Sequence, residues 1–333
     1  MADNRSEIRG ARMIVTPLAA ESLGVRSMAT YVECGETRVL IDPGATLAPN
    51  RFNLGPGEAE WEALRRANDR ISAYATRASV VFVSHYHEDH FRHDPAFYAG
   101  RQLWAKDATR HIEGRQAQRA ATLWRALKGH AEPLAAEGRR LETADAVLQA
   151  SPPLGHGTDG TPLGYVVALT IEDRREGTRF VHASDVQGPL SPVAAAYLAR
   201  QRPTLLYLSG PPAYLESQLG SDLIDRGIDQ LLRIIDQTGC RVIFDHYALR
   251  DAAYPERFRR LWETGRVVTA AGFLGQGDAP LEARRLELWP GRRKPPMPVR
   301  PSRARGVAEA GGARPAARAT FGPRPRLRRA KEG

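Results

Sequence analysis

Short apolar runs separated by polar and glycine-containing breaks recur along the chain from Met13 to about residue 289. Residues 30–34 and 37–41 are rich in β-branched and apolar side chains and flank Gly35-Glu36, which predicts a hairpin. Residues 80–84 form a continuously apolar run of strand length, the pattern of a strand covered on both faces. Residues 163–171 and 179–183 predict a second strand pair, and 205–208 and 241–244 two more buried strands. Helical spacing appears at 58–76, where Trp61, Leu64, Ile71 and Tyr74 recur on one face. It recurs at 222–237, with Leu223, Leu231, Ile234 and Ile235, and at 254–263. Strands therefore come both in hairpins and with helices between them. The pattern predicts an α/β (α+β) architecture, a mixed sheet system covered by helices rather than a plain parallel sheet.

Composition changes this picture mainly at the ends. The chain has 333 residues and a formal net charge of +10. Residues 292–333 hold thirteen Lys/Arg and two Asp/Glu, which leaves 35 basic and 36 acidic residues elsewhere, so the body is near neutral. The Arg- and Pro-rich stretch has no apolar periodicity and is expected to be a disordered basic C-terminal tail. The expected organisation is a polar extension at 1–12, one domain at 13–290 and the tail at 291–333. No run reaches the roughly 18 apolar residues of a membrane helix, and residues 1–12 lack the apolar stretch of a signal peptide, so a cytoplasmic protein without a membrane partner is expected. Cys34 and Cys240 sit in apolar runs and read as small buried hydrophobes, not as a disulfide framework.

The chemistry concentrates after the strand at 80–84. His85 and His87 lie two apart and project to the same side of an extended chain, and Asp89 and His90 follow as the chain turns. Four donors within six residues, imidazole and carboxylate, suit Zn²⁺, Fe²⁺ or Mn²⁺. One loop cannot complete two metal shells, and three further donors stand where apolar strands end: His156 in Gly155-His-Gly157, Asp185 after 180–184, and His246 after 242–245.

In order along the chain these residues resemble the five-part pattern of the metallo-β-lactamase superfamily, over about residues 13–289. Asp42 in Leu40-Ile-Asp-Pro-Gly44 matches its first acidic motif, which supports the metal loop. His85, His87, Asp89 and His90 match its His-x-His-x-Asp-His motif, and His156, Asp185 and His246 its third, fourth and fifth motifs. The stretches at 17–30 and 182–189 and Gly210-Pro-Pro212 further resemble the largely archaeal UPF0282 group, which brings no assigned substrate. The resemblance implies a four-layer αββα sandwich with two divalent metal ions, zinc first among zinc, iron and manganese, at one edge. It implies His85, His87 and His156 on the first metal, Asp89, His90 and His246 on the second, and Asp185 bridging them. It also implies a hydrolase working through a bridging hydroxide, with Asp89 as a catalytic residue holding the attacking water.

Outside this set, Asp245 and His182 read as supports of the ligands, and His93 as a rim residue. Tyr86 and Tyr247 flank ligands and are candidate proton donors whose more ordinary role is packing. Arg115, Gln116, Gln118 and Arg119 read as a solvated helix face or an anion-binding one. The expected partner is a small-molecule or phosphodiester substrate. Two competing functions remain at this point: a nuclease or phosphodiesterase whose basic tail binds nucleic acid non-specifically, and a non-catalytic metal-binding module.

Overall fold

The computed structural model describes residues 13–289; the expected N-terminal extension and basic tail lie outside the described residues. Six strands form the first sheet in sequence order: β1 (Met13–Pro17), β2 (Thr30–Cys34), β3 (Thr37–Ile41), β4 (Val80–Val83), β5 (Gln102–Ala105) and β6 (Pro133–Ala135). Pairing is antiparallel as far as β3 and parallel from β3 to β6. The second sheet is built from β7 (Arg140–Glu142) and β8 (Ala146–Ala150), and, beyond a separate short pair β9 (Leu154–Gly155) and β10 (Tyr165–Val166), from β11 (Leu169–Asp173), β12 (Arg179–Ser184), β13 (Leu205–Ser209), β14 (Arg241–Asp245) and β15 (Val267–Val268). Its order is β15-β14-β13-β12-β11-β8-β7, parallel from β12 to β15 and antiparallel elsewhere.

The alternation of side chains along each strand sorts the core into three apolar seams, which define four layers. Between the sheets, Val39, Ile41, Val80, Phe82 and Trp104 meet Leu148, Leu169, Ile171, Phe180, Tyr207 and Ile243. On the outer face of the first sheet, Leu40, Val81, Val83 and Leu103 pack under α1 (Glu58–Ala75) and α2 (Gly114–Ala126). On the outer face of the second, Val181, Leu206, Leu208 and Val242 pack under α3 (Pro192–Gln201) and the long helix Ser221–Thr238. Because the central strands are covered twice, they read as unbroken apolar runs. The αββα sandwich expected from the sequence is the architecture found. No helix among the described residues is long and apolar enough to cross a membrane.

The predicted hairpin has the predicted bounds, and Gly35 at its turn has φ +57° with a carboxylate of Asp145 where a Cβ would stand. Three expectations need correction. Trp61 is 53% exposed; of the expected face Ile71 is fully buried and Leu64 and Tyr74 are partly so, and the rest of the buried apolar stripe of α1 is Ala63, Ala67 and Ala75, small residues that let the helix lie close to the sheet. The expected strand at 163–171 is split, because Val167 N–H leaves the ladder to donate to Ser84 O at 3.0 Å. The expected helix at 254–263 breaks at the fully buried Phe258 into Tyr254–Arg257 and Arg259–Trp262. Cys34 and Cys240 are buried free thiols.

Candidate metal centre

The chemistry-bearing side chains collect where the central strands end. Asp42 follows β3, Ser84 and His85 follow β4, Asp185 follows β12 and His246 follows β14, all at carboxyl ends of parallel-paired strands. His156 follows the short β9. The backbone is forced here. Asp42 (φ +47°), Ser184 (φ +53°) and His246 (φ +62°) all adopt left-handed conformations that non-glycine residues rarely hold, which is characteristic of functional sites in an over-determined framework. Gly44 has a different task. A Cβ on it would lie 2.4–2.7 Å from backbone atoms of Asp89, His90 and Phe91, so only glycine lets the Asp42 loop press against the His85–His90 loop.

All seven donors read from the sequence come together. His85, His87, His156 and Asp185 form one group, and Asp89, His90 and His246 another, each with its donor atoms within 4.8 Å of one another. His87 presents Nδ1, 3.0 Å from His85 Nε2 and 3.2 Å from His156 Nε2. Asp185 lies in the middle. Its Oδ2 is 3.4 Å from the Nε2 atoms of His85 and His90 and 3.2 Å from that of His156, and its Oδ1 is 3.3 Å from His246 Nε2. Yet neither oxygen of this fully buried carboxylate has a hydrogen-bond partner among the described residues, and neither has His90 Nε2. An unpartnered buried carboxylate is costly. Seven nitrogen and oxygen donors converging on one buried carboxylate are what bound cations satisfy, so the residues present fit a metal centre.

A second ring of groups fixes which nitrogen faces inward. Asp42 accepts from Ser84 N–H at 2.7 Å, Ser84 Oγ–H at 2.6 Å and His90 Nδ1–H at 2.9 Å, with Ser184 Oγ at 3.3 Å. With its proton on Asp42, Ser84 Oγ accepts in turn from His85 Nδ1–H at 2.9 Å. The side-chain amide of Gln187 lies 3.3 Å from His156 Nδ1. His246 Nδ1–H donates to Glu21 Oε2 at 2.8 Å, and the other oxygen of Glu21 accepts from Arg250 Nε at 2.8 Å. Such partners orient metal-binding imidazoles and raise their basicity.

The electrostatics follow from this arrangement. Burial, with His90 nearby, lowers His85 to about 4, and burial beside His85 and His156 takes His87 to about 2. Burial would lower His90 too, but Asp185 and Asp42 outweigh it and hold His90 well above its ordinary value. For His246, Glu21 and Asp185 overcome burial and raise it to about 9. Burial would raise Asp89 and Asp185, but the imidazoles around them hold both well below the usual carboxylate range.

The supporting residues named from sequence fare differently. Asp42 sits under the loop as expected. Asp245 does not touch the imidazole of His246; it accepts from the backbone N–H groups of His246, Ala270 and Ser22 at 2.7, 2.9 and 3.2 Å and so anchors the chain. Burial and Glu21 raise its carboxyl to about 6. His182 is buried between the sheets, its Nε2 donating to Met28 O at 3.1 Å, and its ring lies against Tyr207. His93 pairs with Glu88 on the rim. The hydroxyl of Tyr86 donates to Lys106 O and accepts from Trp124 Nε1, which commits it to packing, whereas Tyr247 is half-buried beside His246 and His156. Gln116 is a buried clamp between Tyr86 N and Leu163 O, and Arg119 pairs with Glu88 at 2.6 Å. Glu21, Arg250, Ser84, Ser184 and Gln187 were not legible as site residues. Glu21 is 225 residues from the histidine it holds, and no local spacing announces it.

Comparison with known proteins places this chain in a family. The chain is 42% identical over 296 residues to a UPF0282 protein of Thermococcus gammatolerans, spanning 83% of this chain and 95% of that one. A UPF0282 protein of Methanopyrus kandleri is 40% identical over 294 residues, spanning 83% and 99%, and one of Pyrococcus furiosus is 37% identical over 292 residues, spanning 83% and 92%. No family model matches the chain. Among solved structures it is similar to a metal-dependent hydrolase of the beta-lactamase superfamily, with a TM-score of 0.47 at 13% identity over 77% of this chain and 95% of that one. It is also similar to unliganded yeast PDE1, with a TM-score of 0.47 at 12% identity over 78% and 98%. The extent and level of identity to its archaeal relatives are decisive: the chain belongs to the UPF0282 family.

Proposed function

We propose that this protein is a metal-dependent hydrolase whose centre holds two divalent cations. His85, His87 and His156 would hold one, Asp89, His90 and His246 the other, and Asp185 both. The observation that carries this reading is the Asp185 carboxylate, fully buried, without a hydrogen-bond partner among the described residues, and faced by four imidazole Nε2 atoms at 3.2–3.4 Å. The all-nitrogen-and-oxygen donor set suits zinc, iron or manganese. Bound cations of this kind supply the positive charge that polarises an electrophile and makes water acidic enough to attack near neutral pH.

The chain's own residues do the rest. Asp89 and the half-buried His87 and Tyr247 mark the open side of the centre. Asp89 stays ionised, because His90, His246 and Arg250 surround it, so it acts as an acceptor that orients the attacking water rather than as a strong base. Tyr247 is the aromatic residue placed to line the substrate's approach. The near-neutral body favours no single substrate class.

The test is turnover of a phosphodiester, a thioester and a lactone by the reconstituted protein. Hydrolysis of at least one, abolished by chelation and restored by added metal, is the expected result. A fully metal-loaded protein inert toward all three would favour the non-catalytic metal module instead.

A further inference from the structure

Glu21 lies in the helical turn Glu21–Leu23 that follows β1, is 3% exposed, and is held rigidly. Ser22 N–H donates to Asp245 Oδ1 at 3.2 Å, and Ser22 Oγ accepts from Ala271 N–H at 2.9 Å, which ties the turn to the end of β14 and to the helical turn Ala270–Phe273. Both oxygens of Glu21 are then used at one place. Oε2 takes the Nδ1 proton of His246, leaving Nε2 to face Asp185, and Oε1 takes the Nε proton of Arg250. The Arg250 guanidinium is 4% exposed, with Nη2 3.2 Å from His246 Nε2 and 3.4 Å from Asp89 Oδ2. A fixed positive charge therefore stands beside two residues read here as ligands of the second cation.

We propose that Glu21 is the positioning residue of the second cation site, acting by two routes at once: it fixes His246 with Nε2 inward, and it neutralises Arg250, whose charge would otherwise oppose a cation held by His246 and Asp89. This rests on the reading of His246 and Asp89 as ligands of that cation. The two routes reinforce each other. Removing Glu21 frees the imidazole to turn or change tautomer, and leaves the buried guanidinium with Asp89, itself read as a ligand, as its remaining carboxylate partner among the described residues, so that it competes with the cation for that carboxylate. Among the described residues Glu21 makes side-chain hydrogen bonds and ion pairs to His246 and Arg250 and none to His85, His87 or His156, so the effect is expected to fall on one half.

The experiment is titration of the full-length, metal-free protein with Zn²⁺ by calorimetry, repeated with Co²⁺ to read ligand geometry from its visible absorption. Glu21→Ala is expected to weaken the second equivalent by about 10- to 100-fold, the range for loss of a group that orients a ligand, and to leave the first unchanged. Glu21→Gln keeps an oxygen for Nδ1–H but lacks the charge, and should fall between wild type and Glu21→Ala. Adding Arg250→Met to Glu21→Ala removes the guanidinium that would otherwise compete for Asp89 and should restore part of the lost affinity. Wild-type affinity for both equivalents in Glu21→Ala overturns the inference. So does an equal loss of both with a lowered melting temperature, the signature of a merely structural carboxylate. A wild-type protein that binds no Zn²⁺ would overturn the reading of the centre itself, and the inference with it.

Discussion

The two halves of the proposed centre are built from similar donor groups on different supports. In the half of His85, His87 and His156, the outward-facing nitrogens of His85 and His156 meet neutral groups, Ser84 Oγ and the amide of Gln187. In the half of Asp89, His90 and His246, they meet carboxylates, Asp42 and Glu21, and a buried arginine stands among them. Seven donors alone would not reveal this asymmetry. A neutral partner orients an imidazole, whereas a carboxylate orients it and also strengthens its electron donation. The first half thus depends on shape and the second on charge, with Asp185 common to both.

The largest effect expected is at the shared residue. Asp185→Ala should abolish binding of both cations, because one carboxylate lies within 3.4 Å of donor nitrogens from both halves. His156→Ala and His246→Ala should each remove one equivalent. Elemental analysis after reconstitution reads the difference, and a protein that kept two equivalents without Asp185 would break the comparison at its centre.

Next in size is Asp89→Asn, which keeps the shape and removes a charge from the open side of the second half. Turnover on whichever substrate class is hydrolysed should fall at least about 100-fold, the scale for one well-placed catalytic group. Near-wild-type turnover would remove Asp89 from the mechanism.

Smaller effects sharpen the contrast between supports. Asp42→Asn should weaken the second equivalent by roughly 10- to 100-fold and Gln187→Ala the first by less, since only the former loses a charge. Equal effects in calorimetric titration would mean that the supports do not differ in kind.

The smallest effect is a control outside both halves. Burial, with Asp173 and Asp145 nearby, pushes the Cys34 thiol up to about 12, from 9.0. The fold therefore favours the protonated thiol, and the stability this contributes is complete below pH 9 and lost as pH rises from there toward 12. Cys34→Ala should keep both metal equivalents and lose stability less steeply than wild type between pH 9 and 11 in denaturant unfolding. A parallel decline of the two proteins would contradict the burial argument.

Much of this was legible before the structure. The hairpin at β2 and β3 and the strand before His85 follow from apolar periodicity, and the seven donors stand at strand ends or in the loop after β4, where a scaffold displays chemistry. What was hidden has physical reasons. Trp61 misled because α1 packs through alanines, which carry little periodic signal. The strand at 163–171 broke because one of its amides serves Ser84, just beyond β4 of the first sheet, a contact that no local pattern encodes. Asp245 precedes His246 in sequence, yet the carboxylate on the imidazole comes from Glu21, because the Asp245 oxygens are taken by the backbone N–H groups of His246, Ala270 and Ser22. Ligands clustered in sequence are legible; the partners that hold them come from distant turns.

The most direct test is diffraction from crystals of the zinc-reconstituted protein, with anomalous scattering measured above and below the zinc absorption edge. Two zinc peaks flanking Asp185 are predicted, one among His85, His87 and His156 and one among Asp89, His90 and His246. A single peak, or zinc bound only at surface histidines such as His93, would contradict a two-cation centre.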